Sequence, residues 1–154
     1  MERMLKKPRS YDPVEESLTF ISDYYQDDTG FPVSKDFSCP NVTINSGVKI
    51  KGITLKCSAM KVYCFAEYCT LAVDGATFVQ GGQISLSTLT TAELYVGGDG
   101  ETGAVMGGSL TAGSISVGKG SAIGRLGALK MTNGENGISL EGGVLNIDVY
   151  IKGQ

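Results

Sequence analysis

Short stretches in which apolar and polar residues alternate recur along the second half of the chain, and each is followed by glycine. Four of them begin near Leu71, Leu94, Ile115 and Ile138, at steps of 23, 21 and 23 residues. A strand-and-glycine unit that repeats every 20 to 50 residues or so is typical of repeat arrays, in which a unit buries its apolar face only against its neighbours. The pattern therefore predicts an all-β, single-stranded β-solenoid.

Strand-like alternation begins at Asn41 and continues to the end of the chain, with residues 48–55 alternating strictly. At about 22 residues per coil, residues 41–154 predict a solenoid of about five coils. Residues 1–40 are predicted to form a separate segment, made of a basic head, a short amphipathic α-helix and an extended linker. The helix is predicted over residues 13–26, because Asp12 and Pro13 are favourable residues at a helix start.

One apolar stripe on this helix is expected to contact another surface. At helical spacing the stripe consists of Val14, Leu18, Ile21 and Tyr25. One interpretation is a cap over the first coil, which would otherwise leave strand edges and apolar rungs open. The alternative is a docking segment for a partner or a neighbouring subunit.

The last strand is the most apolar of the chain, and it predicts an open final rung. Its apolar residues are Val144, Leu145, Ile147, Val149 and Ile151. Since an uncovered rung attracts another chain, we expect self-association, as a homo-oligomer or a larger assembly.

Composition narrows the classes of partner. The net charge is −3 without a basic stripe, so no nucleic-acid partner is expected. No run of 18 apolar residues occurs, so no membrane insertion is expected. The basic start is not followed by an apolar segment of the secretory kind, which favours a cytoplasmic or virion-associated location over classical secretion.

The inventory of reactive side chains predicts no catalytic residue, no metal site and no cofactor. The chain has no histidine, and its carboxylates are scattered beside glycines. A carbohydrate-active β-helix enzyme with paired carboxylates from adjacent coils stays the less favoured alternative. The segment Gly97–Glu101 resembles half of a calcium-binding glycine-rich repeat, but such sites need tandem copies.

Four cysteines lie in the first half of the chain and have no zinc-site spacing: Cys39, Cys57, Cys64 and Cys69. Buried, reduced thiols are expected in the absence of an export signal. A disulfide between Cys39 and Cys64, which are about one coil apart, is the alternative.

Glycine pairs at the ends of short strands, as in residues 79–84 and 94–98, resemble AIDA-type repeats. Such repeats occur in the passenger domains of bacterial autotransporter adhesins, and the likeness extends over about residues 46–143. The resemblance implies a right-handed β-solenoid that displays binding surfaces, and a non-catalytic, adhesin-like surface or virion appendage. Its partner would be a carbohydrate or a cell-surface ligand. The alternative function is a cytoplasmic scaffold that polymerises end to end, as bactofilins do.

Overall fold

The chain folds into a parallel β-solenoid of about six turns. The structure, a computed structural model, describes residues 9–12, 16–21, 23–25, 36–98, 100–133, 137–146 and 151–153. Within these residues there are 19 strands and no helix, and therefore no helix that could cross a membrane. The strands are β1 (Arg9–Asp12), β2 (Ser17–Phe20), β3 (Tyr24–Tyr25), β4 (Asp36–Ser38), β5 (Asn41–Ile44), β6 (Lys49–Lys51), β7 (Thr54–Cys57), β8 (Ala59–Val62), β9 (Phe65–Glu67), β10 (Thr70–Val79), β11 (Gln83–Ser85), β12 (Thr88–Val96), β13 (Ala104–Met106), β14 (Ser109–Gly118), β15 (Ala122–Gly124), β16 (Ala128–Met131), β17 (Ile138–Glu141), β18 (Val144–Asn146) and β19 (Ile151–Gly153).

Each complete coil contributes one strand segment to each of three faces. Face 1 is formed by β4, β7, the first halves of β10, β12 and β14, then β16 and β19. Face 2 is formed by β2, β5, β8, the second halves of β10, β12 and β14, and β17. Face 3 is formed by β3, β6, β9, β11, β13, β15 and β18.

Alternation along each strand builds the core. On face 1 the first inward residue of each coil pairs in register with that of the next coil, and from β7 to β16 each of these residues is a buried leucine. They are Leu55, Leu71, Leu89, Leu110 and Leu129. Because side chains alternate across a strand, the intervening residues face solvent. The hydrophobic effect therefore acts along one continuous column of side chains, as the stacking of repeat units requires.

The register differs from the predicted repeat at its first step. Leu94, Ile115 and Ile138 do pair with one another in successive coils on face 2. Leu71, however, pairs with Leu89 on face 1, and the residue that precedes Leu94 in the face 2 column is Thr77. The true step from Thr77 to Leu94 is 17 residues. These shorter coils, together with strands that precede Asn41, explain why the solenoid has about six turns where about five were predicted.

Thr77 occupies an apolar column because its hydroxyl group has a partner inside the solenoid. The side chain is fully buried, and its hydroxyl donates a hydrogen bond to Oγ1 of Thr91 at 2.9 Å. Oγ1 of Thr91 lies in turn 3.0 Å from the carbonyl oxygen of Gly75 and 2.8 Å from that of Glu93. Buried hydroxyl groups are tolerated when they are paired in this way.

This network predicts that valine substitutions at Thr77 and Thr91 are not additive in their effect on the free energy of unfolding. We expect Thr91→Val to lower the free energy of unfolding by about 1–3 kcal/mol, because the Thr77 hydroxyl is left buried without its acceptor. The double variant T77V/T91V should recover most of that loss, since removing both partners leaves no unpaired donor. Urea denaturation followed by circular dichroism measures both. Additive losses in the double variant would contradict the prediction.

The predicted N-terminal helix is wrong for the residues that the structure describes. Residues 17–20 form β2, which pairs in parallel with β5, and residues 24–25 form β3, which pairs with β6. Leu18 and Phe20 are buried with strand periodicity, and Ile21 is 48% exposed. The helical spacing of Leu18 and Ile21 was coincidental, because an i, i+2 burial pattern lets this segment extend columns that the solenoid already has.

One corner of the solenoid is formed by residues in the left-handed conformation. They stack in successive coils between face 3 and face 1: Gly52, Tyr68, Leu86, Gly107 and Arg125. Each backbone N–H of the first four donates a hydrogen bond of 2.8–3.1 Å to the next coil. The shared turn geometry aligns the corners, even though positive φ is unfavourable for the three residues that are not glycine.

Candidate functional site

The C-terminal end of the solenoid is the first candidate site, because a core residue is half exposed there. Leu140 on β17 pairs with Val117 and continues the inward column, yet it is 49% exposed. Ile138, one inward position earlier, is partly buried, whereas Ile115 beneath it is fully buried. In the described part of the chain, β17 pairs only with β14 and β18 only with β15. Within the described residues, this end therefore presents strand edges without a partner strand, together with a half-exposed inward leucine.

The residues predicted to form one open rung lie on two different faces. Val144 and Leu145 belong to β18 on face 3, where Leu145 points inward and packs against the core while Val144 is 48% exposed on the outer surface. Ile151 begins β19, which pairs with β16 on face 1. Ile147 and Val149 lie outside the described residues. Leu140, which the sequence analysis did not select, is the inward residue that this end leaves half exposed.

The N-terminal end is arranged differently. β1 runs antiparallel to β2 and occupies the edge of that strand away from β5. Phe20, Tyr24 and Phe37 form an aromatic cluster inside the first coils, with ring centroids 5.5–5.6 Å apart. Of the predicted stripe, Leu18 is buried and Ile21 is exposed. Val14 and the side chain of Tyr25 lie outside the described part.

Several of the described carboxylates lie on the surface of the solenoid. Asp74, Glu93 and Glu101 are exposed. Gly98 and Glu101 close a tight turn by reciprocal backbone hydrogen bonds of 3.0 and 2.9 Å. Among the described residues, no group of three or more His, Cys, Asp or Glu side chains is placed to hold a metal ion.

An aromatic pair on the outer surface of face 2 is the second candidate site. Phe78 and Tyr95 are paired in adjacent coils, and their rings are nearly parallel, at 10°, with centroids 5.0 Å apart. The hydroxyl of Tyr95 donates a hydrogen bond to Oε1 of Glu93 at 3.2 Å. The negative charge of Glu93 raises the pKa of Tyr95, so the phenol stays protonated as a donor. In the next two coils, the positions above Tyr95 are Ser116 and Ser139.

The cysteines are free thiols. Cys39, Cys57 and Cys69 are buried, and Cys64 is half-buried. Burial, followed by the proximity of Cys39 and Asp74, raises the pKa of Cys57 to about 12, and burial also raises the pKa of Cys69. Protonated, buried thiols are poor nucleophiles. Cys57, and not Cys64, is the cysteine that follows Cys39 in the same column, because β4 and β7 pair in register immediately before them.

Comparison of the chain with family models, with curated proteins and with solved structures found no match.

Proposed function

We propose that this chain is a non-catalytic structural module, an adhesin-like or appendage component, and that two copies associate through their C-terminal ends. The observation that carries the proposal is the half-exposed Leu140 in a column that is otherwise buried. Burying a fully exposed leucine side chain contributes about 1.5–3 kcal/mol, so covering the exposed half of Leu140 contributes roughly half of that. In a two-fold pair each copy buries the same residue, so the contribution is made twice.

The free edges at this end supply hydrogen bonds as well as apolar surface. The β17 edge away from β14 has no partner strand in the described part of the chain. A two-fold axis across the solenoid would place β17 of one copy antiparallel to β17 of the other, which is a favourable ladder. Exposed strand edges are the usual route by which sheets associate.

The contrast between the two ends favours this closed pair over a head-to-tail filament. In a filament, the C-terminal edge of one copy would meet the N-terminal edge of the next. On face 2 that N-terminal edge is occupied by β1, which runs antiparallel to the coils. Continuation of the parallel ladder is therefore interrupted, whereas an isologous contact uses only the open end. The end-to-end polymer resembling bactofilins is accordingly the less supported alternative.

The resemblance to AIDA-type repeats supports the adhesin-like part of the proposal, since such repeats build display scaffolds. The absence of histidine and the exposed positions of Asp74, Glu93 and Glu101 agree with a surface that binds and does not catalyse.

Sedimentation equilibrium over a wide concentration range tests the association. We expect the native chain to be a dimer, and we expect Leu140→Lys to weaken the dimer by at least tenfold, because a charge replaces each buried leucine. Ser139→Lys is the matched control: it places the same charge on the adjacent residue of β17, which is exposed on the outer surface. Circular dichroism should show that both variants keep the fold.

Three results would overturn the proposal. They are a monomer at every concentration, a concentration-dependent series of filaments, and an equal loss of association in the two lysine variants. The last result would show that the charge on the edge, and not the open leucine, governs assembly.

A further inference from the structure

We infer that Tyr95 and the serine shelf above it form a binding subsite for one pyranose ring of a neutral saccharide. The serine shelf is defined as Ser114, Ser116 and Ser139, the small outward residues of the next two coils on face 2. This site lies on the outer surface of the solenoid. Ser139 is shared with β17, the strand of the proposed pairing, but the variants that test the site are all made outside β17.

The geometry of the aromatic pair leaves one ring face of Tyr95 available. Because the rings of Phe78 and Tyr95 are nearly parallel, each turns one face towards the other. The second face of Tyr95 is turned towards the coil that carries Ser116, whose side chain is much smaller than an aromatic ring. Successive coils are separated by about 4.8 Å, so the two serine-bearing coils provide a shelf on the order of 10 Å deep beside the ring.

Polar groups line this shelf. Within the described part of the chain, the hydroxyl groups of Ser114, Ser116 and Ser139 make no hydrogen bond to protein. Glu93 is exposed and holds the Tyr95 hydroxyl through one carboxylate oxygen, Oε1, at 3.2 Å. The second oxygen of Glu93 and the serine hydroxyls are left to accept and donate hydrogen bonds.

A saccharide is the ligand class that this combination favours. A pyranose presents a C–H face, which packs on an aromatic ring, and a rim of hydroxyl groups, which pair with carboxylate and hydroxyl partners. A protein partner would need a continuous apolar patch with aromatic anchors, and the shelf beside Tyr95 is hydroxylic. Anionic ligands are disfavoured, because the carboxylate of Glu93 is exposed next to the ring.

The test is a titration of the full chain, followed by ¹H–¹⁵N NMR, with four neutral hexasaccharides made of glucose, mannose, galactose or N-acetylglucosamine. Hyaluronan hexasaccharide, which carries carboxylates, is the charged comparison. We expect saturable shifts with at least one neutral probe, centred on residues 93–95 and 114–116. Tyr95→Ala should weaken binding by about tenfold or more, whereas Tyr95→Phe, which keeps the ring, should weaken it less.

Two further variants separate the site from the fold. Ser116→Leu fills the shelf without removing Tyr95 and should abolish binding. Tyr68→Ala removes an exposed tyrosine at the corner of the solenoid and should leave binding unchanged. The inference is overturned if no neutral hexasaccharide binds, if hyaluronan binds more tightly than all of them, or if Tyr95→Ala binds like the native chain. None of these results bears on the C-terminal dimer.

Discussion

Replacing Ile115 by alanine should lower the free energy of unfolding by about 2–5 kcal/mol. Ile115 is fully buried in the middle of the face 2 column, between Leu94 in the preceding coil and Ile138 in the following one. Truncation therefore removes the apolar contacts with both neighbouring coils. It also leaves a cavity, which the strands of those coils cannot fill by moving inward. Urea denaturation at several wavelengths measures the loss.

Ile138 provides a matched control for this prediction, because the same substitution is made in the same column. Ile138 is only partly buried and has a described neighbour on one side alone. Ile138→Ala should cost roughly 1–2 kcal/mol, less than half of the loss at Ile115. Equal losses at the two positions would contradict the stacking that the structure shows. A loss at Ile138 that increases with protein concentration would indicate that a second copy covers this residue.

The architecture was predictable because stacking leaves a periodic trace in the sequence. Leu94, Ile115 and Ile138 occupy equivalent positions in successive coils, and their spacing alone indicates a solenoid. The sequence does not reveal the column at Thr77, because a polar residue in an apolar pattern is expected on the surface. Thr77 is nevertheless buried, with an internal hydrogen-bond partner. That single hydroxyl shifted the predicted register by one face and lengthened the predicted coil.

The predicted helix failed for a related reason. Leu18 and Ile21 are separated by three residues, which suits a helix, but Leu18 and Phe20 are separated by two, which suits a strand. Over so few residues both periods fit, and tertiary contacts decide between them. Because one edge of β5 has backbone groups that need a partner strand, the segment pairs with it and forms β2.

The candidate sites depend on register more than on composition. An apolar C-terminal segment is visible in the sequence and led to the prediction of one last strand, whereas β18 and β19 lie there on two different faces. That Leu140 is the exposed member of the inward column follows only from its pairing with Val117. Likewise, Phe78 and Tyr95 are 17 residues apart, and their contact appears only when the coils are aligned. The backbone is left-handed at Tyr68 and Leu86, and because neither residue is glycine, the sequence does not indicate a corner there.

Backbone contact between coils underlies the second large effect, which we expect at Gly108. This residue has a φ of +75°, and a Cβ added to it would overlap the carbonyl oxygen of Ser87 in the preceding coil and lie 2.5 Å from its nitrogen. Ser87 cannot move aside, because its carbonyl accepts a hydrogen bond from Ser109 N–H at 2.9 Å. Its buried hydroxyl donates to the carbonyl of Ser85 at 2.8 Å and accepts from Cys69 N–H at 3.0 Å.

Gly108→Ala should therefore cost about 3 kcal/mol or more, as the sum of left-handed strain and overpacking against a fixed backbone. Gly47→Ala is the control that separates the two causes, since Gly47 has a φ of +80° but a Cβ added there would meet no other atom within 4 Å. Left-handed strain of about 1 kcal/mol acts there, and the reduced entropy of the unfolded chain offsets part of it. Thermal and urea unfolding of both variants should show a difference of at least about 2 kcal/mol. If Gly108→Ala is no worse than Gly47→Ala, adjacent coils do not approach each other as closely at this corner as the register between Ser87 and Gly108 requires.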